Sequence, residues 1–369
     1  MEEVVIVITD LYLTNATEAA SIRGVDLPGL ARIARYGSGH VLDRGWRPWL
    51  AAWSGQGELA RSAPATIAAA ASRAKAKDVD GRMMWLATPV HLVAGLSSVH
   101  LDARGLLQVE LDARRELAQD FNSVFAESGF RLEALPSAGF LVTGPRIDDR
   151  DTVDPARILG ASVTEVLPEA SNAPTLRRLL AEIEMWLHSH RVNGDRARRA
   201  RLPITALWLW GGGDAREGLD LGVETQLLGT DTTDTVPASV VRGAALAATG
   251  TPIPGVAFGH DPYLHGLWRT RGSNARPTPR NFEEVLAHTG RRAVFVLELS
   301  RSFDEHHDWT IREALADLDR RWIVSALDAL RRGDIGRVTV VANDHHLTLG
   351  SRDPWKLWRL PRPALTALQ

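Results

Sequence analysis

The sequence predicts an α/β protein whose mainly parallel sheet is flanked by helices, with an inserted, smaller α+β domain. Residues 4–8, 293–299 and 338–342 are runs of β-branched and other apolar residues, typical of strands buried on both faces of a parallel sheet. Helical patterns alternate with these strands in the outer parts of the chain, and the pattern changes in the middle. The length of 369 residues allows about two domains.

The first outer part begins with the strand at 4–8. Residues 27–36 have the apolar spacing of a helix that ends at Gly37. A loop rich in glycine and tryptophan is predicted over 45–55, and a helix of small residues over 63–76.

The middle part reads as a β–β–α–β unit followed by an amphipathic helix at 176–190 and an exposed, arginine-rich segment at 191–201. A buried strand at 204–210 then leads into three glycines. Strands at 225–228, 293–299 and 338–342 and helices at 239–249 and 322–331 complete the pattern. We therefore predict a phosphatase-like α/β core formed by residues 1–80 and 203–369, and an α+β insertion at 81–202.

Composition excludes several classes of protein. The chain has no cysteine, so disulfides, zinc–thiolate sites and cysteine nucleophiles are excluded, and any metal ligands must be His, Asp or Glu. The net charge of −2 does not favour nucleic acid as a partner. No apolar run approaches the length that spans a membrane, and from the acidic start we expect no signal peptide. We expect a cytoplasmic protein without a membrane or nucleic-acid partner.

Acidic and histidine residues follow the ends of predicted strands at three places. They are Asp10, the segment 304–308 (DEHHD) and the triplet 344–346 (DHH). Ligands in open α/β sheets bind beyond the carboxyl ends of the strands. Converging carboxylates and imidazoles are what a divalent metal requires. The predicted metal ligands are Asp10, Asp304, His307, Asp344 and His345.

The order of these motifs resembles a known family. The order of Asp10, the segment 26–34 (DLPGLARIA), the segment 304–308 and residues 343–345 resembles that of the cofactor-independent phosphoglycerate mutases. The segments 85–92 (WLATPVHL), 183–188 (IEMWLH) and above all 202–213 (LPITALWLWGGG) resemble the bacterial phosphoglycerate-mutase-like family. This group is related to the cofactor-independent phosphoglycerate mutases of the alkaline phosphatase superfamily and is also catalogued as a regulator of pathogenicity factors. The resemblance implies an alkaline-phosphatase-like core and metal-dependent phosphoryl transfer on a small phosphorylated metabolite, with Mn²⁺ or Zn²⁺ as cofactor.

The chain departs from the catalytic pattern of that family at several positions. Leu11 and His346 stand where the enzymes have glycine, and Asp304 and His307 are one residue closer together than the corresponding pair. These departures predict an incomplete metal site. The alternative function is that of a non-catalytic pseudoenzyme that has lost the metal and acts as a regulatory or ligand-binding protein.

Phosphoryl transfer would also need a hydroxyl nucleophile and cationic phosphate ligands. We predict Ser54 as nucleophile, with Thr14 as second choice. Phosphate would be held by a group of arginines in a Gly- and Pro-rich loop, namely Arg269, Arg271, Arg276 and Arg280. The Asp-His-His triplet also matches the DHH phosphoesterases, but its position near the C-terminus argues against that family, and the near-neutral charge argues against a nuclease-like phosphoesterase. The sequence does not identify a protein partner.

Overall fold

A computed structural model describes most of the chain. The described residues are 1–12, 24–72, 81–95, 98–146, 153–163, 174–217, 221, 255–288, 290–305 and 309–351. They form a mixed α/β structure with a mostly parallel sheet flanked by helices, which confirms the predicted fold class.

The first sheet and the helices around it are built from both ends of the chain. Its six strands are β1 (Glu3–Ile8), β2 (Ser38–Val41), β8 (Val256–Gly259), β9 (Arg292–Leu297), β10 (Arg337–Ala342) and β11 (His345–Gly350). The helices are α1 (Pro28–Tyr36), α2 (Trp46–Trp53), α3 (Pro64–Ala69), α7 (Pro262–Arg269), α8 (Phe282–Leu286), α9 (Leu299–Glu305), α10 (Ile311–Leu318) and α11 (Ser325–Arg332). A π-helical turn, Asp319–Val324, joins α10 to α11, and Gly57–Arg61 is a 3-10 turn.

The strand order of this sheet is β2–β11–β10–β1–β9–β8. The four strands β10, β1, β9 and β8 run parallel, whereas β11 and β2 are antiparallel at one edge. Apart from the first residue of each, the residues of the parallel strands are buried and mainly apolar, because helices cover both faces. As a result, four parallel strands end side by side along one edge, which we call the carboxyl edge.

The second sheet is antiparallel and is formed by the middle of the chain. Its strands are β3 (Arg82–Ala94), β4 (Val99–Leu106), β5 (Arg131–Ala134), β6 (Phe140–Pro145) and β7 (Ala206–Asp214). Its helices are α4 (Leu111–Val124), α5 (Pro174–Ser189) and α6 (Arg191–Arg198), with 3-10 turns at Ala126–Ser128 and Pro155–Ile158. The helices pack on one face around a core of phenylalanine, leucine and tryptophan side chains.

Strand β7 belongs to a predicted domain different from that of the strand with which it pairs. The sequence places it at the start of the returning core segment, but it pairs along β3 in the second sheet. The domain boundaries at 80, 81, 202 and 203 otherwise stay a prediction. The predicted glycine- and tryptophan-rich loop also differs, because residues 46–53 form the helix α2, whose buried face includes Trp46 and Leu50. In the described part of the chain, no helix is long and apolar enough to cross a membrane.

Candidate functional site

Acidic side chains stand at the ends of all four parallel strands. Asp344 follows β10, Asp10 follows β1, Glu298 follows β9 and Asp261 follows β8. Because these strands are neighbours, the four carboxylates lie along one edge of the sheet, where ligands bind in open α/β folds. The structure thus places four carboxylates at the ends of the strands, where the sequence predicts a candidate site. What this site can do depends on the partners of each carboxylate.

Asp10 is buried, and backbone N–H groups donate to both of its carboxylate oxygens. Leu299 N lies 2.6 Å from Oδ1 and Ser300 N lies 2.8 Å from Oδ2. These are the first N–H groups of α9, which have no partner within the helix, so Asp10 caps that helix from a neighbouring strand. Burial raises the pKa of Asp10, against the lowering effect of the two N–H donors.

Asp344 forms a bidentate ion pair with Arg157. The two guanidinium nitrogens lie 2.9 Å from Oδ2 and 2.6 Å from Oδ1, and the Tyr12 hydroxyl donates to Oδ1 at 3.0 Å. Burial raises the pKa of Tyr12 well above its ordinary value, so Tyr12 keeps its proton for this bond. Arg157 comes from the Pro155–Ile158 turn near the second sheet, and a positive charge therefore stands directly beside Asp344.

Arg47 joins the two halves of the site. Its guanidinium contacts Asp154 at 2.5 Å and Asp261 at 3.3 Å, and all three side chains are nearly buried. The guanidinium also lies 4.4 Å from the ring centroid of Trp46 and 4.6 Å from that of Trp210. Asp261 and Trp46 belong to the elements around the first sheet, whereas Trp210 belongs to the second sheet. Arg47 therefore contacts residues from both parts of the structure.

Two cavities open beside these residues. The first, which we call the edge cleft, measures about 90 Å³ and lies between the carboxyl edge and the second sheet, with Asp10, Glu298 and Asp261 on one side. The second, the arginine pocket, measures about 280 Å³. Both cavities are lined by Arg47, Asp154 and Trp210. The arginine pocket is further lined by Tyr12, Arg44, Gly45, Trp46, Pro48, Ser62, Pro64, Arg157, Gly211 and Tyr263.

Ser54, the first predicted nucleophile, lines neither cavity. Ser54 follows the C-terminal end of α2, where its buried hydroxyl donates to Ala51 O at 2.9 Å and accepts from Gln56 at 3.2 Å. Thr14 lies outside the described residues. The opposite end of α2 faces the site, because a Cβ added to Gly45 would lie 3.2 Å from Asp344 Oδ1. The role of Ser54 and Thr14 as nucleophiles remains a prediction.

The four predicted phosphate-binding arginines lie on and after α7. Arg269 ends that helix, and the Arg271 guanidinium donates to Gly55 O at 2.6 Å. Arg276 and Arg280 are exposed, and Arg276 contributes its backbone to the end of β8. None of the four lines the edge cleft or the arginine pocket. Phosphate binding by these arginines remains a prediction.

The predicted metal ligands are only partly described. Asp304 lies in α9, but its side chain and the whole of His307 lie outside the described residues. His345 begins β11, and its half-buried side chain has a ring Nδ1 without a hydrogen-bond partner. Among the described residues, Asp10, Asp344 and His345 do not form a group with ligand atoms within 4.8 Å of one another. Both oxygens of Asp10 and both oxygens of Asp344 therefore already have partners within the protein, namely N–H groups for Asp10 and Arg157 for Asp344.

Among the described residues, one group of acidic and histidine side chains does have ligand atoms within 4.8 Å of one another. It consists of Glu116, Asp120 and His190 in the second unit. Val192 N donates to His190 Nδ1 at 3.2 Å, so the ring proton belongs on Nε2, which faces Asp120 at 3.2 Å. A metal at Nε2 would need the lone pair that this tautomer lacks, and Arg191 pairs with Glu116. These contacts fit a cap for α6 better than a metal site.

Sequence reasoning missed Arg47, Asp154, Arg157 and Asp261. Asp261 could have been found, because it follows a short apolar strand in the same way as Asp10. The ion pairs of Arg47 and Arg157 leave no signal in the local sequence. Asp154 is 107 residues from Arg47, and Asp344 is 187 residues from Arg157.

His260, at the end of β8, should make the protein sensitive to acid. Burial, followed by repulsion from Arg301 and His265, lowers the pKa of His260 to about 3. In the unfolded chain, this histidine binds a proton below about pH 6.5. In the folded protein, His260 stays neutral until about pH 3. His260 therefore does not lower the free energy of unfolding above pH 6.5. Below that pH, the free energy of unfolding falls by about 1.4 kcal/mol per pH unit, because the proton binds only the unfolded chain.

Chemical denaturation of the wild type and of His260→Asn between pH 7.5 and 4.5 measures this effect. We expect the stability of the variant to fall less steeply with decreasing pH than that of the wild type. Two parallel profiles would show that His260 takes up its proton in the folded state as it does in the unfolded state.

Comparison with known proteins gives likeness in overall fold alone. No family model matches the chain, and no curated protein matches it. Among solved structures, a cofactor-independent phosphoglycerate mutase from Thermoplasma acidophilum DSM 1728 is 15% identical, with a TM-score of 0.34, over 95% of this chain and 90% of that chain. The PH0037 protein from Pyrococcus horikoshii is 12% identical, with a TM-score of 0.39, over 95% of this chain and 87% of that chain. At these values the likeness assigns no role to any residue.

Proposed function

We propose that this protein binds a small phosphorylated metabolite in the arginine pocket and acts as a ligand-binding or regulatory protein. The pairing of Arg157 with Asp344 carries this proposal. In that pair the guanidinium bonds to both oxygens of the aspartate that the sequence predicts as a metal ligand. A cation from the protein itself thus takes the position of a metal beside Asp344, and the same guanidinium lines the arginine pocket.

The walls of the arginine pocket suit a phosphate group. Three arginines line it, of which Arg47 and Arg157 are already paired with aspartates and Arg44 is not. Arg44 is exposed and has no ion pair among the described residues, so its guanidinium is available to a ligand. Arginine binds phosphate oxygens in pairs, which gives both affinity and orientation.

The start of α2 lines the same pocket. Gly45 precedes the helix, provides no side-chain cap, and is followed by a first turn without acidic residues. The first N–H groups of a helix lack partners within it and carry partial positive charge, so they favour an anion. Gly45, Trp46 and Arg47 all line the pocket.

The size of the pocket limits the ligand. Its volume of about 280 Å³ lies near the lower end of the roughly 300–1,000 Å³ range of small-molecule sites. Tyr12, Trp46, Trp210 and Tyr263 provide aromatic walls for the part of the ligand that carries no charge. We therefore propose a compact phosphomonoester as ligand. The near-neutral charge of the chain accords with a cytoplasmic metabolite-binding protein rather than a nucleic-acid-binding one.

Isothermal titration calorimetry with a panel of small phosphomonoesters in EDTA tests this function. We expect saturable binding to the wild type and a loss of affinity of about tenfold, or about 1.4 kcal/mol, in Arg44→Ala. Arg276→Ala removes another exposed arginine, which lies outside the pocket, and should bind as the wild type does. The proposal fails if Arg44→Ala keeps full affinity, whereas a loss confined to Arg276→Ala would support the arginines predicted from the sequence.

Metal-dependent phosphoryl transfer is the second candidate. It is favoured by the adjacency of β10, β1 and β9, because Asp344, Asp10 and the helix that contains Asp304 follow these neighbouring strands. Release of phosphate from phosphomonoesters in Mn²⁺ or Zn²⁺, absent in EDTA and abolished in Asp344→Ala, would establish this activity. Binding in EDTA without turnover in either metal would support the ligand-binding function.

A further inference from the structure

Two histidines face each other across the antiparallel edge of the first sheet. His40 on β2 is directly opposite His346 on β11, and their ring centroids are 5.1 Å apart with the planes tilted by 49°. Side chains of directly opposed residues are the closest pairs in an antiparallel ladder. We propose that these two imidazoles bind one divalent transition-metal ion of the borderline class that includes Zn²⁺, Ni²⁺ and Cu²⁺.

The spacing of the rings allows a shared ion. Metal–imidazole bonds are about 2.0–2.1 Å long, so the two bonded nitrogens of a shared ion lie roughly 3–4 Å apart. The ring centroids are 5.1 Å apart, so a shared ion requires side-chain rotations that bring one nitrogen of each ring to this separation. Imidazole is a favoured ligand of zinc, nickel and copper, and waters complete the coordination.

One of the two histidines offers a free ligand atom, and the other is exposed to solvent. The His346 Nδ1 atom is buried and has no hydrogen-bond partner among the described residues. All four residues of β2 are exposed, so His40 can meet an ion from solvent.

This site is separate from the metal ligands predicted at the carboxyl edge. Successive side chains of a strand point to opposite faces, so His345 and His346 cannot share a site on one face of β11. His346 lies on the face covered by α2, with the Trp49 ring centroid 5.6 Å from its own. The proposal is independent of phosphate binding in the arginine pocket.

Calorimetric titration with Ni²⁺ alone, in a buffer without chelator, tests the proposal. We expect one equivalent of Ni²⁺ to bind the wild type, and His40→Ala to lose roughly tenfold or more in affinity because one of two protein ligands is removed. His40 is exposed, so this variant should fold. His188→Ala removes another exposed histidine, on α5, and should bind as the wild type does.

Tryptophan fluorescence gives a second measurement. Bound Ni²⁺ should quench Trp49, and Trp49→Phe should remove that part of the quenching while the calorimetric affinity stays unchanged. Binding should also persist in Asp344→Asn, which separates this site from the carboxyl edge. Unchanged Ni²⁺ affinity in His40→Ala, or loss of binding in Asp344→Asn, would overturn the proposal.

Discussion

Replacing Arg47 with methionine should lower the free energy of unfolding by about 3–5 kcal/mol, the range expected when one partner of a buried ion pair is removed. The guanidinium contacts Asp154 and Asp261, whose side chains are only 12% and 8% exposed. Methionine fills much of the space between Trp46 and Trp210 but leaves both carboxylates buried without their cation. The loss should therefore come from charge rather than from a cavity.

Urea denaturation of the variant and the wild type at neutral pH measures this loss. Arg44→Met is the matched control, since it changes a neighbouring but exposed arginine and should alter the stability by no more than about 0.5 kcal/mol. Replacement of Asp154 by asparagine in the Arg47→Met background should recover part of the loss by removing one unpaired charge. A loss below about 1 kcal/mol in Arg47→Met would mean that water reaches and solvates the two carboxylates.

The buried strands of the first sheet could be predicted closely. The predictions of 4–8 and 338–342 correspond to β1 (Glu3–Ile8) and β10 (Arg337–Ala342), each within one residue. These strands are covered on both faces, so almost every position must be apolar, and a continuous β-branched run is itself the signal. The strand at 293–299 ends two residues earlier, at Leu297, because Leu299 already begins α9.

The partners of strands and of charges could not be predicted in the same way. The apolar pattern at 204–210 indicates a strand but not which sheet it joins, and β7 pairs with β3. The sequence predicts Ser54 within a loop at 45–55, but residues 46–53 form a helix whose other end faces Asp344. Hydrophobic spacing describes one element at a time, whereas the surroundings of Asp344 depend on Arg157, which is 187 residues away in sequence.

Asp10 illustrates the same limit, because its position after β1 suits a metal ligand and a helix cap equally well. In the structure it bonds to the N–H groups of Leu299 and Ser300. Asp10→Ala should lower the free energy of unfolding by about 3–5 kcal/mol, since two buried N–H groups lose a charged acceptor. Asp10→Asn keeps one acceptor oxygen and should lose about 1–3 kcal/mol.

Measuring these stabilities in EDTA and in excess Mn²⁺ separates the two roles. A metal that binds only the folded protein stabilises it in proportion to the logarithm of its concentration over its dissociation constant. If Asp10 were a metal ligand, the difference between the wild type and Asp10→Asn would grow when Mn²⁺ is added and shrink in EDTA. If Asp10 is the cap of α9, the difference is the same in both, because N–H groups of the chain are always present. We expect equal losses, and a loss confined to Mn²⁺ would return Asp10 to the metal-dependent candidate.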